Sequence, residues 1–193
     1  MGYTTVRRGW ILNYATIKNC DIANGPGVRI SLFVSGCTHK CKGCFNEVAW
    51  DFEYGQPFTQ ETVDYILSLL APVYVKGLTL LGGEPFEPQN QPALVDLLRQ
   101  VKAKYPEKSI WAFSGYLFDR DMLPGRLGDA EILKEFLSYL DVLVDGPFVE
   151  SKKDLTLRFR GSSNQRLIDV PASLAAGEVV LWQDWQGNER GMK

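Results

Sequence analysis

Residues 28–46 read Val28-Arg29-Ile30-Ser31-Leu32-Phe33-Val34-Ser35-Gly36-Cys37-Thr38-His39-Lys40-Cys41-Lys42-Gly43-Cys44-Phe45-Asn46. The opening apolar run predicts a buried strand. It ends in a glycine-bearing turn and passes at once into a loop that carries three of the four cysteines. The same unit recurs downstream. Residues 77–81 end in Gly82-Gly83-Glu84-Pro85, residues 109–113 in Ser114-Gly115-Tyr116, and residues 142–144 in Asp145-Gly146-Pro147. Helical spacing fills the intervals. Residues 59–70 carry Val63, Ile66, Leu67 and Leu70 behind a Thr59 cap, with Glu61 in the first turn. Residues 90–104 carry Leu94, Leu97, Leu98 and Val101, and residues 129–140 carry Ile132, Leu133, Phe136, Leu137 and Leu140.

Strand and helix alternating with short links predict an α/β fold whose sheet is mainly parallel, with right-handed crossovers. Parallel α/β sheets bind ligands at the carboxyl ends of their strands. The four glycine turns are therefore expected on one rim, facing one ligand. A single such turn shows only that glycine permits the bend; four beside a cysteine trio point to a shared site. Outside this repeat, residues 1–24 read as a lead-in segment with a short strand at 14–18, closed by the turn Asn24-Gly25-Pro26-Gly27. Residues 155–160, 166–170 and 178–182 read as strands, 171–176 as a short helical turn, and 183–193 as a loose polar tail. One domain spanning 1–193 is expected.

Composition narrows the function. A hydrophobic fraction of 45% and a net charge of −2 exclude disorder and give no basic surplus for nucleic acid. No apolar run is long enough for a bilayer, and the first ten residues lack the apolar core of a secretory signal. A cytoplasmic, reducing location is expected, where clustered cysteines bind metal or do chemistry rather than form disulfides. One histidine in the chain excludes mechanisms that need several imidazoles.

The spacing Cys37-x3-Cys41-x2-Cys44 lets three thiols converge on one centre. A four-iron cluster normally takes four thiolates, so three leave one iron open to a small molecule. Cys20 is expected in the core or near the site, not as a ligand. The alternative is structural zinc held by the three cysteines and His39, but such sites usually draw on two separated ligand pairs. His39 is expected as an exposed loop residue or as a neighbour of the cluster. Gly43 lets another molecule approach closely. Phe45 serves either an apolar ligand face or the core. Gly82-Gly83-Glu84 offers backbone carbonyls and a carboxylate suited to a ligand ammonium.

Cys37-x3-Cys41-x2-Cys44 followed by Gly82-Gly83-Glu84-Pro85 resembles the radical S-adenosylmethionine (SAM) superfamily. Further stretches are similar to the family of activating proteins of anaerobic (class III) ribonucleotide reductases. They are Asn24-Gly25-Pro26-Gly27-Val28-Arg29, Gly36-Cys37-x-His39-x-Cys41-x-Gly43-Cys44-Phe45-Asn46, Ser114-Gly115-Tyr116, Asp145-Gly146-Pro147-Phe148, and residues 160–166. The resemblance spans about residues 13–170.

It implies a partial (β/α) barrel of mainly parallel strands. It also implies a [4Fe-4S] cluster on Cys37, Cys41 and Cys44, with SAM bound to the fourth iron through its amino and carboxylate groups. Reductive cleavage of SAM would give a 5′-deoxyadenosyl radical that takes hydrogen from a glycine of the reductase large subunit, with a donor such as flavodoxin supplying the electron. Gly82, Gly83 and Glu84 match the turn that holds the SAM amino group. Gly43, Cys44 and Phe45 match the segment beside the adenosyl moiety, and Ser114 a position reaching the ribose or carboxylate. Arg158, Arg160 and Arg166 stay open between the SAM carboxylate, the partner and a solvated strand edge; Asp145 stays open between ligand and turn. The competing readings are another radical SAM enzyme (an activase of a different glycyl radical enzyme, or one like 7-carboxy-7-deazaguanine synthase) and a zinc-stabilised binding protein.

Overall fold

The computed structural model describes residues 12–183. Most of the expected polar tail and the first residues of the lead-in segment lie outside this range. Seven strands form one sheet: β1 (Asn13–Asp21), β2 (Val28–Val34), β3 (Gln56–Pro57), β4 (Val75–Gly82), β5 (Ser109–Phe113), β6 (Val142–Asp145) and β7 (Arg166–Asp169). Their order is β3-β1-β2-β4-β5-β6-β7. The central pairs β2·β4, β4·β5 and β5·β6 are parallel; β1 pairs antiparallel with β2 and β3, and β7 antiparallel with β6. The sheet is thus mixed, with a four-stranded parallel centre between antiparallel edges. Its end strands β3 and β7 do not pair with each other.

Three helices make the crossovers. α1 (Gln60–Leu70) starts at a reciprocal cap, in which Thr59 and Thr62 each accept the other's backbone N–H. α2 (Gln91–Lys104) carries Lys102 and Lys104 in its last turn, where cations suit the helix dipole. α3 (Ala130–Tyr139) is capped by Asp129, whose carboxylate accepts from Glu131 and Ile132. Their apolar stripes pack with Ile30, Leu32, Val34, Leu78, Leu80, Ile110, Ala112 and Leu143 in one core, with Phe86 stacked on Phe136. Each fully buried leucine or phenylalanine there contributes roughly 1.5–3 kcal/mol.

Alternate strand residues point to the opposite face, where Trp111, Val142 and Val144 form a smaller cluster with Phe113, Phe159, Leu167 and Trp182. Arg29 lies on this face, fully buried. It donates to Thr79 Oγ1, Ser109 Oγ and the carbonyls of Leu78 and Ser109, and it lies over the Trp111 ring. Burial pulls its pKa down to about 10, against the pull of Asp141 and Asp21.

Several expectations change. Residues 155–160 form no strand. Asp154 folds back on the Thr156 N–H and hydroxyl, Asp154 N–H bonds Gly161 O, and Phe159 takes φ +59, so the segment turns instead of extending. Residues 178–182 give only an Ile168–Leu181 bridge. The helical turn expected at 171–176 is α4 (Val170–Ala176), capped by Asp169 and ended by Gly177 at φ +72. β1 is longer than the strand expected at 14–18. A register shift between Lys18 and Asp21 leaves Cys20 exposed at φ +58, neither in the core nor in the cleft described below.

Candidate active site

The four strand ends meet as neighbours. Gly83 N–H donates to Val34 O at 2.7 Å, Glu84 N–H to Gly36 O at 2.8 Å, and Ser114 N–H to Val144 O at 2.9 Å. Gly36 at φ +92, Gly82 at φ +110 and Gly146 at φ +98 take conformations that L side chains rarely adopt, so glycine is required at three of these turns. Behind the cysteine loop a short 3₁₀ turn (Glu47–Trp50) returns the chain to the sheet; Gly36 donates to Ala49 O and Cys37 to Trp50 O.

A cleft of about 510 Å³ opens over this rim. It is lined by Cys37, Cys41, Gly43, Cys44, Phe45, Gly82, Gly83, Glu84 and Ser114. The site residues read from the sequence therefore all face one space, of a size suited to a cofactor or small ligand.

Cys37 is buried, and burial pushes its thiol up to about 11; the His39 and Lys40 amides pull it down and Glu84 and Glu87 push it further up. Burial also raises Cys41, against the Phe148 amide. Cys44 Sγ accepts Asn46 N–H at 3.4 Å. Thiols held up by burial are poor free nucleophiles, whereas a coordinating metal deprotonates them outright. Backbone amides directed at each sulfur are the surroundings that tune iron–sulfur clusters. Among the described residues, no three His, Cys, Asp or Glu side chains are grouped to hold a single ion. A lone zinc needs its donors within about 2.0–2.3 Å of one point, whereas a four-iron cluster takes each thiolate on a different iron. Three thiolates on one loop, each able to take a different iron, fit a four-iron cluster with one iron left open.

Glu84 is 1% exposed, and its carboxylate accepts from Phe86 N–H, Ser114 Oγ, Gly115 N–H and His39 Nε2 at 2.7–3.1 Å. Four bonds use about the whole capacity of a carboxylate. Ser114 Oγ also accepts Tyr116 N–H. The two side chains read as ligand contacts are thus committed to each other and to the rim. His39, expected as a loop residue or cluster neighbour, is 19% exposed, with its ring edge-on to Tyr116 at 4.3 Å. Burial lowers its pKa, but the Glu84 hydrogen bond and charge, with Glu87 and Asp121, outweigh this and the net shift is upward.

Glu87 and Asn90 carry no role in the motifs read from the sequence. Glu87 accepts both the N–H and the hydroxyl of Thr38, and Asn90 Nδ2 donates to Ser35 O and Glu84 O. The spacing Glu84-x2-Glu87-x2-Asn90 is the signal that marks them, three polar residues at successive turns of one segment. Of the arginines left open, Arg160 lines the cleft and donates to Gln165 O, Arg158 lies over the Phe159 ring, and Arg166 is bound to Asp145 and Asp119.

Three cysteines at the end of a parallel strand, each met by backbone amides, have the chemistry of an iron–sulfur site. The family model described as "4Fe-4S single cluster domain" matches residues 23–168. The chain is 45% identical over 156 residues to the anaerobic ribonucleoside-triphosphate reductase-activating protein of Enterobacteria phage T4, covering 81% of this chain and 93% of that one. It is 42% identical over 156 residues to the proteins of the same name from Vibrio cholerae serotype O1 and Escherichia coli K12, covering 80% of this chain and 96% of each. The chain belongs to the family of anaerobic ribonucleoside-triphosphate reductase-activating proteins.

Proposed function

We propose that this protein is a radical SAM activase of radical SAM barrel type that installs a glycyl radical on an anaerobic ribonucleotide reductase. The observation that carries this reading is the bonding of the cysteine turn to the Gly82-Gly83-Glu84 turn over one cleft. Cys37, Cys41 and Cys44 would hold a [4Fe-4S] cluster. When bound, the cluster and SAM supply the one-electron cleavage of a sulfonium and the hydrogen abstraction that leaves a radical on the partner's glycine. Gly82 and Gly83 would present backbone to the SAM amino group, while Glu84 shapes the turn through its internal bonds. Gly43 and Phe45 would border the adenosyl moiety and Ser114 would orient the β5 turn.

The substrate is then a polypeptide loop, and the mouth of the cleft suits one. Phe45 and Leu155 line it and are 84% and 89% exposed, an apolar pair that a docked protein would cover. No described helix is long and apolar enough to cross a membrane. We place the protein in the cytoplasm, reduced by a donor such as flavodoxin.

The test mixes anaerobically reconstituted, reduced protein with SAM and the reductase. A glycyl radical doublet in electron paramagnetic resonance is expected. 5′-Deoxyadenosine without the doublet would favour another radical SAM enzyme, and stoichiometric zinc with no reduced-cluster signal would overturn the reading.

A further inference from the structure

Between Cys37 and Cys41 stand Thr38, His39 and Lys40. Two of these are gripped by buried carboxylates from one short segment. Glu87, 4% exposed, accepts Thr38 N–H at 2.7 Å and Thr38 Oγ1 at 2.6 Å. Glu84 accepts His39 Nε2 at 3.1 Å. An ionised carboxylate only accepts, so Nε2 carries the proton. The two acids are themselves fixed. Glu87 N–H bonds Glu84 O, and Asn90 ties Glu84 O to Ser35 O, the residue two before Cys37.

The His39 ring is boxed as well as bonded. Tyr116 meets it edge-on at 4.3 Å and 64°. On the β5 side a Cβ added at Gly115 would stand 2.5 Å from His39 Cδ2 and 2.7 Å from Nε2. Glycine at 115 is what admits the ring. The third residue, Lys40, takes φ +48 just before Cys41. That conformation is unfavourable for a residue with a side chain and persists only where its surroundings impose it.

We infer that His39 is a positioning residue. With Thr38, Glu84 and Glu87 it forms a latch that holds the Cys37–Cys41 segment open in cluster-binding geometry, and it is not itself a metal ligand. The inference rests on the cluster reading above. Without the latch, Lys40 relaxes and Cys41 turns away from Cys37. The role is the one that hydrogen-bonded partners behind metal ligands play elsewhere, orienting the donors.

The test compares iron and sulfide content after anaerobic reconstitution, and then the rate of iron release to a ferrous chelator. The reconstituted wild-type protein is set beside His39→Ala, His39→Gln, Gly115→Ala and Thr38→Val, with the urea midpoint of each recorded. His39→Ala and Gly115→Ala are expected to release iron at least about ten-fold faster, and His39→Gln, which keeps a donor for Glu84, to stay within about three-fold of wild type. Thr38→Val, which removes one bond and leaves the ring in place, is expected between them and serves if His39→Ala does not fold. Release at the wild-type rate in His39→Ala or Thr38→Val would overturn the latch. So would His39→Gln releasing as fast as His39→Ala, because the donor to Glu84 would then not be what holds the loop. A wild-type chain that takes up no iron and sulfide would defeat the cluster reading instead.

Discussion

Arg166 grips Asp145 with two parallel bonds, Nε to Oδ1 at 2.9 Å and Nη2 to Oδ2 at 2.5 Å. Asp145 is fully buried at the end of β6 and also accepts Phe118 N–H, while Arg166 reaches out to Asp119 at 2.7 Å. The hydrogen bond to Asp145 raises the guanidinium pKa, with burial opposing it and Asp119 adding to it. The cation therefore staples β7 and the turn after β5 to the β6 rim, and is not left for a ligand carboxylate. Removing one member of a buried, bidentate pair strands the other charge. Arg166→Met is expected to destabilise the fold by about 3 kcal/mol. Asp145→Asn with Arg166→Met should cost less than Arg166→Met alone. Urea unfolding of the three proteins checks this, and equal midpoints for Arg166→Met and wild type would refute the staple.

Asp119 supplies a pH dependence at the outer end of the same staple. The Arg166 hydrogen bond holds its carboxyl below the usual range, against a smaller burial penalty. A depressed folded pKa adds stability that is present above the unfolded value of about 4 and is lost as pH falls through the folded value. Asp119→Asn should be less stable than wild type at neutral pH, with the gap closing on acidification. Urea midpoints taken down to about pH 3 measure it; a gap that widens in acid would contradict the assignment.

The thiols should separate by reactivity in protein stripped of iron. Cys20 is exposed, whereas Cys37 is buried with its thiol pushed up to about 11. At pH 8 only about 0.1% of such a thiol is ionised. Mass-resolved alkylation under anaerobic conditions should label Cys20 early and Cys37 late, with the Cys37 rate climbing as pH rises. Cys37 labelling as fast as Cys20 would show that the loop opens when empty.

The mouth of the cleft can be tested without touching its floor. Leu155, 89% exposed, borders the cleft from the segment after β6. Leu155→Asp is expected to weaken reductase binding by about ten-fold or more if it contributes to the interface as an apolar anchor does. Iron content should stay unchanged. Sedimentation or surface binding with the isolated reductase reads this directly, and unaltered affinity would move the docking surface elsewhere.

The helices were legible because their signals are local. Thr59 and the apolar stripes of α2 and α3 act within a turn or two of their own positions, so spacing, with a cap for α1, places α1, α2 and α3 to within a residue or two. The parallel centre was legible from the strand–helix alternation. The antiparallel edges were not. β3 is two residues long, and residues 155–160 alternate like a strand yet have no ladder to join, because alternation reports a possible face and not a partner. Cys20 was misplaced for a similar reason, since a register shift inside β1 leaves no mark on composition.

At the site the division is sharper. The sequence alone determined that three thiols stand on one loop at a strand end, and that a Gly-Gly-Glu turn ends the next parallel strand. Spacing and alternation are enough for that, because parallel strands carry their carboxyl ends to one rim. Tertiary structure alone decided what Glu84 does. Its partners His39, Ser114 and Gly115 lie 30 to 45 residues away in the chain, and nothing local distinguishes a carboxylate offered to a ligand from one already bonded four times. A buried acceptor takes whichever donors the fold brings within hydrogen-bond reach, and only the packed chain says which those are.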